Sequence, residues 1–339
     1  MEETMSRILV GTFVKRMLKE IRESPERNTR NLVDMALQFS RGRFQQHFFG
    51  AAQTMLQKED SGYYALVRDT VAWADLDRLY TFGMNLGYNG CTAGAQRIRE
   101  NEKRLGCNIP RTILLELDTE RLDRTGPRYH ALIREGEALG VFVWTLLAGE
   151  RPALALPLVK EHPDSAFFLF CAPGDVTPAF LDGAAEVNNL MAAVRYGEGA
   201  ADACAALRKK GLLCSVWYQY GQKDTEAILN GKLFDGAQQL SPIFTILLPE
   251  PDCPAPVQRL AHQAVEQARM EQTYRTALWE AQGDNRKVDT VISDDACAAC
   301  FDRDGTIREW GRRLSCAPNN LFESGLTDLL TAAFPKKRE

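Results

Sequence analysis

The chain has 339 residues, a formal net charge of −4, and a composition that is 45% hydrophobic and 25% charged. These values are those of an ordinary globular protein, so they exclude global disorder and a fibrous class. The acidic balance gives no reason to expect nucleic acid as a partner. No apolar run reaches the roughly 18 residues that a membrane span requires, and the first residues lack the pattern of a signal peptide.

Nine cysteines are scattered along the sequence without the spacing of a disulfide framework. An odd number of dispersed cysteines is typical of reduced thiols that pack as small apolar side chains. Because reduced thiols persist in the cytosol, we expect a cytoplasmic protein without a transmembrane segment.

Residues 1–108 are predicted to form an N-terminal helical region. Helical periodicity is present over about the first 75 residues, for example between Leu32 and Phe39, and little strand signal accompanies it. Ser24 followed by Pro25 indicates a break between two helices.

Residues 109–282 contain short apolar runs that alternate with helical segments. The runs are apolar throughout, which is typical of parallel strands covered on both faces. They are Thr112 to Leu117, Val141 to Leu147, Ala166 to Cys171, Leu190 to Tyr196, Leu212 to Tyr220 and Ile243 to Leu248. The helical segments include Tyr129 to Leu139, Ala200 to Lys210 and Val257 to Ala281. This alternation predicts an α/β fold in which a parallel sheet curls into a partial or full (β/α) barrel.

A flat, doubly wound sheet is the alternative to a barrel over the same residues. No G-x-G-x-x-G motif follows any of the strands, and the stretch Gly197-Glu198-Gly199 lacks the third glycine. A dinucleotide-binding version of that alternative is therefore disfavoured.

Residues 283–339 form a C-terminal extension with a turn at Asp302 to Gly305 and a last helix near Leu326 to Phe334. Cys297, Cys300 and Cys316 lie in this extension. A closed zinc or iron site normally requires four ligands, and only three thiols are near one another in the sequence. We therefore expect these cysteines to hold no metal.

Several segments in a shared order resemble radical S-adenosylmethionine (radical SAM) proteins over roughly residues 80–334. They include CNIPRTILLELDTERL, HALIREGEALGVFVWTLLAGERP, LRKKGLLCSVWYQY and FDRDGTIREW. The resemblance implies a barrel of the radical SAM type, in which Thr112 to Leu117 is the first strand and Val141 to Leu147 the second.

The loop after the first strand departs from the radical SAM pattern. In that superfamily it carries C-x-x-x-C-x-x-C, whose thiolates hold a [4Fe–4S] cluster. Here the loop reads DTERLDRTGPR, and the three cysteine positions fall on Leu122, Gly126 and Tyr129. Cys91 and Cys107 lie upstream at a spacing that does not match the motif. A cluster is therefore not expected.

The stretch Ala148-Gly149-Glu150-Arg151-Pro152 is an imperfect copy of the G-G-E-P motif that ends the second strand in the superfamily. The resemblance implies that Gly149 and Glu150 contact the amino group of S-adenosylmethionine. That compound stays open as a ligand, although the residues themselves indicate no resident cofactor.

No catalytic residue can be assigned. His47, His130, His162 and His262 are far apart in the sequence and are expected on the surface or at helix ends. Two functions stay open: a cluster-free barrel that binds a small molecule, a peptide or a protein partner, and an enzyme. The enzyme would use S-adenosylmethionine or another small molecule in the barrel mouth, or hold a cluster by unrecognised ligands. The binding function is favoured because no acid–base pair or nucleophile constellation is present.

Overall fold

The computed structural model describes residues 2–39, 43–293, 295, 297–310 and 312–336. The α-helices are α1 (Glu2–Ile21), α2 (Pro25–Phe39), α3 (Arg43–Met55), α4 (Gly62–Trp73), α5 (Leu76–Gly83), α6 (Gly94–Leu105), α7 (Leu122–Leu139), α8 (Leu156–Glu161), α9 (Pro178–Ala184), α10 (Ala200–Lys209), α11 (Thr225–Leu229), α12 (Lys232–Gln238), α13 (Ala255–Glu271), α14 (Ala281–Ile292) and α15 (Leu326–Ala333). A π-helix, Met84–Ala93, connects α5 to α6.

The strands are β1 (Thr112–Glu116), β2 (Val143–Leu147), β3 (Ala166–Cys171), β4 (Leu190–Arg195), β5 (Cys214–Tyr220), β6 (Phe244–Pro249), β7 (Ala277–Glu280), β8 (Ala299–Phe301), β9 (Ile307–Glu309) and β10 (Arg312–Arg313). Within the described residues they form a ten-stranded sheet in the order β10-β9-β8-β1-β2-β3-β4-β5-β6-β7. The pairs β8–β1, β1–β2, β2–β3, β5–β6 and β6–β7 are parallel. The predicted α/β fold and the six predicted strands, β1 to β6, are confirmed.

One predicted helix is shorter than its sequence indicates. The segment Val257 to Ala281 was expected to be helical throughout, but α13 ends at Glu271 and β7 follows. Gln272 caps α13 in the left-handed conformation, with φ 57°, and its backbone N–H donates to the Ala268 carbonyl. Leu278 of β7 is then buried against the neighbouring strand, so tertiary packing outweighs the helical periodicity.

The described chain divides into two compact units. The first comprises residues 2–80 and 193–284, and the second comprises residues 81–192 and 285–336. In the first unit α1 ends at Ile21 and α2 begins at Pro25, so the predicted helix break is confirmed. Ile21 is buried against Leu18 and Val71, and a second apolar cluster surrounds Tyr220 and Leu247 beside α13.

In the second unit β1 alternates between a fully buried face and a half-buried face. Ile113 and Leu115 of β1 are completely buried, whereas Leu114 and Glu116 are partly exposed. On the same buried face, Trp144 of β2 packs so closely on α7 that a side chain at Gly136 would strike its indole ring. The absence of a side chain at Gly136 therefore lets α7 cover β2.

The π-helix is fixed by two buried asparagines. Asn85 donates to the Ser165 carbonyl at 3.0 Å, and Asn89 donates to the Asp164 carbonyl at 2.7 Å. Both carbonyls lie just before β3. The π-helix therefore sits at the amino ends of the second unit's strands.

Two antiparallel strands continue the sheet of the second unit beyond β8. Ile307 of β9 pairs with Phe301 of β8, and Arg312 of β10 pairs with Glu309 of β9. Both residues of β10 are exposed arginines. Among the described residues, no helix combines the length and the apolar character needed to cross a bilayer.

Candidate functional site

The carboxyl ends of β8, β1, β2 and β3 meet at one edge of the sheet in the second unit, because these strands are parallel. We call this region the carboxyl-end edge. Parallel α/β folds place ligand and catalytic residues at this end of their strands. The charged side chains and glycine found there include Glu116, Gly149, Glu150, Asp175, Asp302 and Arg303.

The loop after β1 is closed by an ion-pair network. Asp118 Oδ2 accepts a hydrogen bond from Arg121 Nε at 2.5 Å, and Arg121 Nη2 donates to Asp304 Oδ1 at 3.2 Å. Asp118 Oδ1 also accepts from the Glu120 backbone N–H at 3.1 Å. The hydrogen bond from Arg121 lowers the pKa of Asp118, and α7 begins directly afterwards at Leu122.

The donor set of this loop does not fit an iron–sulfur cluster of the C-x-x-x-C-x-x-C type, which requires thiolates. The positions expected for the cysteines, Leu122, Gly126 and Tyr129, all lie in α7, and the last two are buried. Cys91 lies in the π-helix, and its Sγ is 3.7 Å from Nη1 of Arg111, at the amino end of β1. Cys91 therefore belongs to the opposite end of this strand.

Cys107, the second upstream cysteine, is also distant from the loop along β1. It forms an isolated bridge with Pro335 before β1 begins. Of the cysteines in the C-terminal extension, Cys297 and Cys300 are buried, and Cys300 Sγ lies 3.5 Å from the Arg308 carbonyl oxygen. Within the described ranges, no group of three or more His, Cys, Asp or Glu side chains is arranged to hold a metal ion.

Gly149 and Glu150 follow β2 and are exposed at the carboxyl-end edge. Gly149 has φ 60°, in the left-handed region, and a Cβ built on it would lie 3.1 Å from Nη2 of Arg303. The guanidinium of Arg303 therefore lies beside Gly149. The left-handed conformation favours glycine here, and a side chain would also have to displace the end of Arg303 slightly.

Asp175 lies beyond β3 and shares its surroundings with Glu150. Its Oδ2 accepts a hydrogen bond from the Ala172 backbone N–H at 2.9 Å, which fixes the carboxylate against its own turn. Partial burial raises the pKa of Asp175, and the negative charge of Glu150 raises it further. The two carboxylates therefore make one negatively charged corner of the carboxyl-end edge.

Asp302 organises the predicted turn between β8 and β9. It accepts hydrogen bonds from the Thr306 N–H at 2.9 Å and from Arg308 Nε at 2.7 Å. Burial raises the pKa of Glu116, the last residue of β1, and Asp302 adds to this shift, whereas Arg308 and Arg303 oppose it. Arg308 is bound to Asp302, while Arg303 projects from the turn and is exposed.

The structure brings together two histidines that the sequence did not associate. His130 Nδ1 lies 3.2 Å from His162 Nε2, although the residues are 32 positions apart. His162 Nδ1 is 3.3 Å from Glu137 Oε2, and Ser165 Oγ donates to Glu137 Oε1 at 2.7 Å. His162 follows α8 as its C-cap, so it lies at a helix end as the sequence analysis allowed, but its side chain is only 3% exposed. No sequence spacing indicated this contact, because α7 and α8 supply the partners separately.

No protein-family model matches the chain, and no curated protein matches it. Solved structures of Streptococcus suis SuiB are similar in fold. SuiB bound to S-adenosylmethionine has a TM-score of 0.50 and 10% identity, covering 72% of this chain and 69% of SuiB. SuiB alone has a TM-score of 0.51 and 11% identity, covering 72% of this chain and 71% of SuiB. SuiB is a radical SAM enzyme. The resemblance of the sequence to radical SAM proteins is therefore confirmed as a likeness of fold.

Proposed function

We propose that this chain is a radical-SAM-like barrel that holds no iron–sulfur cluster and binds a small molecule at the carboxyl-end edge, with S-adenosylmethionine as the first candidate. The observation that carries the proposal is the loop after β1, which is closed by an Asp118–Arg121–Asp304 network and contains no cysteine. Gly149 and Glu150 are the proposed contacts of the ligand's amino group.

The chemistry of the loop supports the absence of reductive cleavage. Radical SAM chemistry needs thiolates that hold three irons and leave a fourth open to the methionyl amine and carboxylate. The loop after β1 offers carboxylates, a guanidinium and hydroxyls instead. Oxygen donors do not readily replace thiolates in such a cluster, so no electron would reach the sulfonium.

The state of Glu150 supports ligand binding. Its carboxylate is exposed, and it makes no ion pair or hydrogen bond within the described part of the chain. An exposed carboxylate beside a backbone turn can accept charge-assisted hydrogen bonds from a ligand ammonium. One solved structure of similar fold holds S-adenosylmethionine, which makes this compound the first ligand to test.

The experiment measures binding and cleavage on the full chain. Calorimetric titration with S-adenosylmethionine is expected to show binding by the protein as purified. After anaerobic reconstitution with iron and sulfide, we expect no bound iron or acid-labile sulfide, and no 5′-deoxyadenosine after dithionite addition. Glu150→Gln removes a charge-assisted contact and is expected to weaken binding by roughly tenfold, or about 1.4 kcal/mol.

Glu100→Gln is the matched control, because Glu100 is exposed on α6 and bonds only to Gln96 of the same helix. It should leave the affinity unchanged. A dithionite-dependent yield of 5′-deoxyadenosine would restore a radical enzyme with unrecognised cluster ligands. Turnover of a small molecule without a cluster would favour a non-radical enzyme, and failure to bind S-adenosylmethionine would contradict the proposed ligand.

A further inference from the structure

We infer that the carboxyl-end edge is built to hold the zwitterionic head group of an α-amino acid, with Arg303 binding the carboxylate and the Glu150–Asp175 corner binding the ammonium. This inference rests on the proposed function and specifies the part of the ligand that is recognised. In a radical SAM cluster the open iron contacts the carboxylate of the ligand. In this chain the Arg303 guanidinium would make that contact instead.

The first supporting observation is the position of Arg303. Its guanidinium lies beside Gly149, since a Cβ there would lie 3.1 Å from Nη2 and 3.9 Å from Cζ. Glu150 is the next residue along the chain. A positive group from the turn after β8 therefore lies beside the residue that precedes Glu150 in the turn after β2. The ammonium and carboxylate of an α-amino acid are also close together, on a single carbon atom.

The second observation is that the cation is available. Across the described residues, the Arg303 guanidinium makes no hydrogen bond or ion pair, whereas Arg308 on the same hairpin is bound to Asp302 at 2.6 Å. The positive charge of Arg303 does affect Glu116, because it opposes the rise in the pKa of that carboxyl. A planar guanidinium with free N–H groups can bind a carboxylate through two parallel hydrogen bonds.

The third observation is the pair of carboxylates formed by Glu150, which follows Gly149, and Asp175. Glu150 and Asp175 lie close enough for the charge of one to raise the pKa of the other. Asp175 is anchored by the Ala172 N–H and has no cationic partner among the described residues. An ammonium placed between the two carboxylates would relieve their repulsion, so ligand binding removes an unfavourable interaction that is present in the free protein.

The test compares S-adenosylmethionine with its decarboxylated form, which lacks only the carboxylate, and with methylthioadenosine, which lacks the whole aminoalkyl chain and the sulfonium charge. The wild-type chain is expected to bind S-adenosylmethionine roughly tenfold more tightly than the decarboxylated form, the size of one charge-assisted pair at an exposed site. Arg303→Gln should lose that preference and bind both amine-containing compounds equally. Arg303→Lys should retain part of it, because a lysine keeps the charge but not the paired geometry.

Arg313→Gln is the matched control, since Arg313 is an exposed arginine of β10, and it should keep the wild-type ratio. Equal affinity of the wild type for S-adenosylmethionine and the decarboxylated form would overturn the inference and leave the proposed function standing. Equal weakening of both ligands by Arg303→Gln would also overturn it. If none of the three compounds binds, the proposed ligand and this inference both fail.

Discussion

Four side chains of the second unit form a continuous hydrogen-bonded series that starts at the buried Ser165 and ends at His130, and an exposed glutamate lies beside its end. Because a carboxylate only accepts hydrogen bonds, the contact with Glu137 places a hydrogen on Nδ1 of His162. Nε2 of His162 then accepts from Nδ1–H of His130. The same His130 nitrogen lies 3.4 Å from Oε2 of Glu161, which is exposed.

Acid should therefore destabilise the protein through His130. Burial lowers the pKa of His130, and the nearby His162 and Arg134 lower it further, whereas Glu161 opposes the shift. Since the ordinary histidine pKa is about 6.5, the unfolded chain takes up this proton before the folded chain does. The contribution to stability is present above about pH 6.5 and is lost as the pH falls through the folded-state pKa.

His130→Gln removes this titration. We expect the melting temperature of the wild type to fall more than that of His130→Gln between about pH 7.5 and about pH 5. His47→Gln is the control, because His47 is exposed on α3, and it should follow the wild type. Parallel pH profiles for the wild type and His130→Gln, followed by circular dichroism, would contradict the prediction.

The candidate site could be predicted only where its residues are close in sequence. Gly149 and Glu150 follow a strand directly, so their exposure at its carboxyl end follows from the strand prediction. The contact between Arg303 and Gly149 joins residues more than 150 positions apart and depends on the parallel pairing of β8 with β1. The contact between His130 and His162 could not be predicted for the same reason, because contacts between separate elements leave no local pattern in the sequence.

At the scale of elements, α6 and α7 approach each other through two glycines. A side chain at Gly94 would collide with the carbonyl oxygens of Asn89 and Gly140, and would lie 3.1 Å from the Phe142 ring. Gly140 ends α7 with φ 107°, and a Cβ there would be 2.5 Å from the Gly94 carbonyl oxygen. Because backbone atoms cannot move aside as a flexible side chain can, this contact fixes the spacing of the two helices.

Gly94→Ala is expected to reduce the free energy of unfolding by about 1–3 kcal/mol, the usual cost of overpacking. Gly83→Ala is the control, because Gly83 is also helical, with φ −61°, and nothing lies within 4 Å of a Cβ built there. It should be neutral or should stabilise by up to about 1 kcal/mol, since alanine restricts the unfolded chain. Equal urea midpoints for the two variants would show that the backbone contact is not tight.

The accuracy of the element predictions depended on strand length. The strands β1 to β6 are five to seven residues long and mostly apolar, so their apolar runs alone identify them in the sequence. β7 has four residues after a long helical pattern, and β8 to β10 have two or three. Segments this short carry too little periodicity to be recognised, and they exist because a neighbouring strand supplies their hydrogen bonds.

For the molecule as a whole, the nine cysteines provide a test of the packing. All are free thiols; Cys91 and Cys316 are partly exposed, and the others are buried. Burial raises the pKa of both Cys91 and Cys316, and Cys91 Sγ also contacts the Leu86 carbonyl oxygen at 3.4 Å. Because the thiolate is the reactive form, both should react slowly, with Cys316 first.

Titration with a thiol reagent under native conditions is therefore expected to reach no more than the two partly exposed cysteines. In guanidinium chloride the same reagent should label all nine. Cys316→Ser should remove the faster native phase, whereas Cys204→Ser, at a buried position, should not change it. Native labelling of more than two thiols would show that the core is more open than described.

The short last strand of the second unit has a consequence for self-association. An exposed strand edge presents unpaired N–H and C=O groups that another chain can extend into an aggregate. β10 offers only Arg312 and Arg313, both exposed and positively charged, and it follows Trp310, whose φ of 46° turns the chain out of an extended path. A second molecule approaching this edge in the same orientation would bring like charges together with almost no length of backbone to pair. The β9–β10 hairpin therefore disfavours the addition of strands from other molecules at this edge of the sheet.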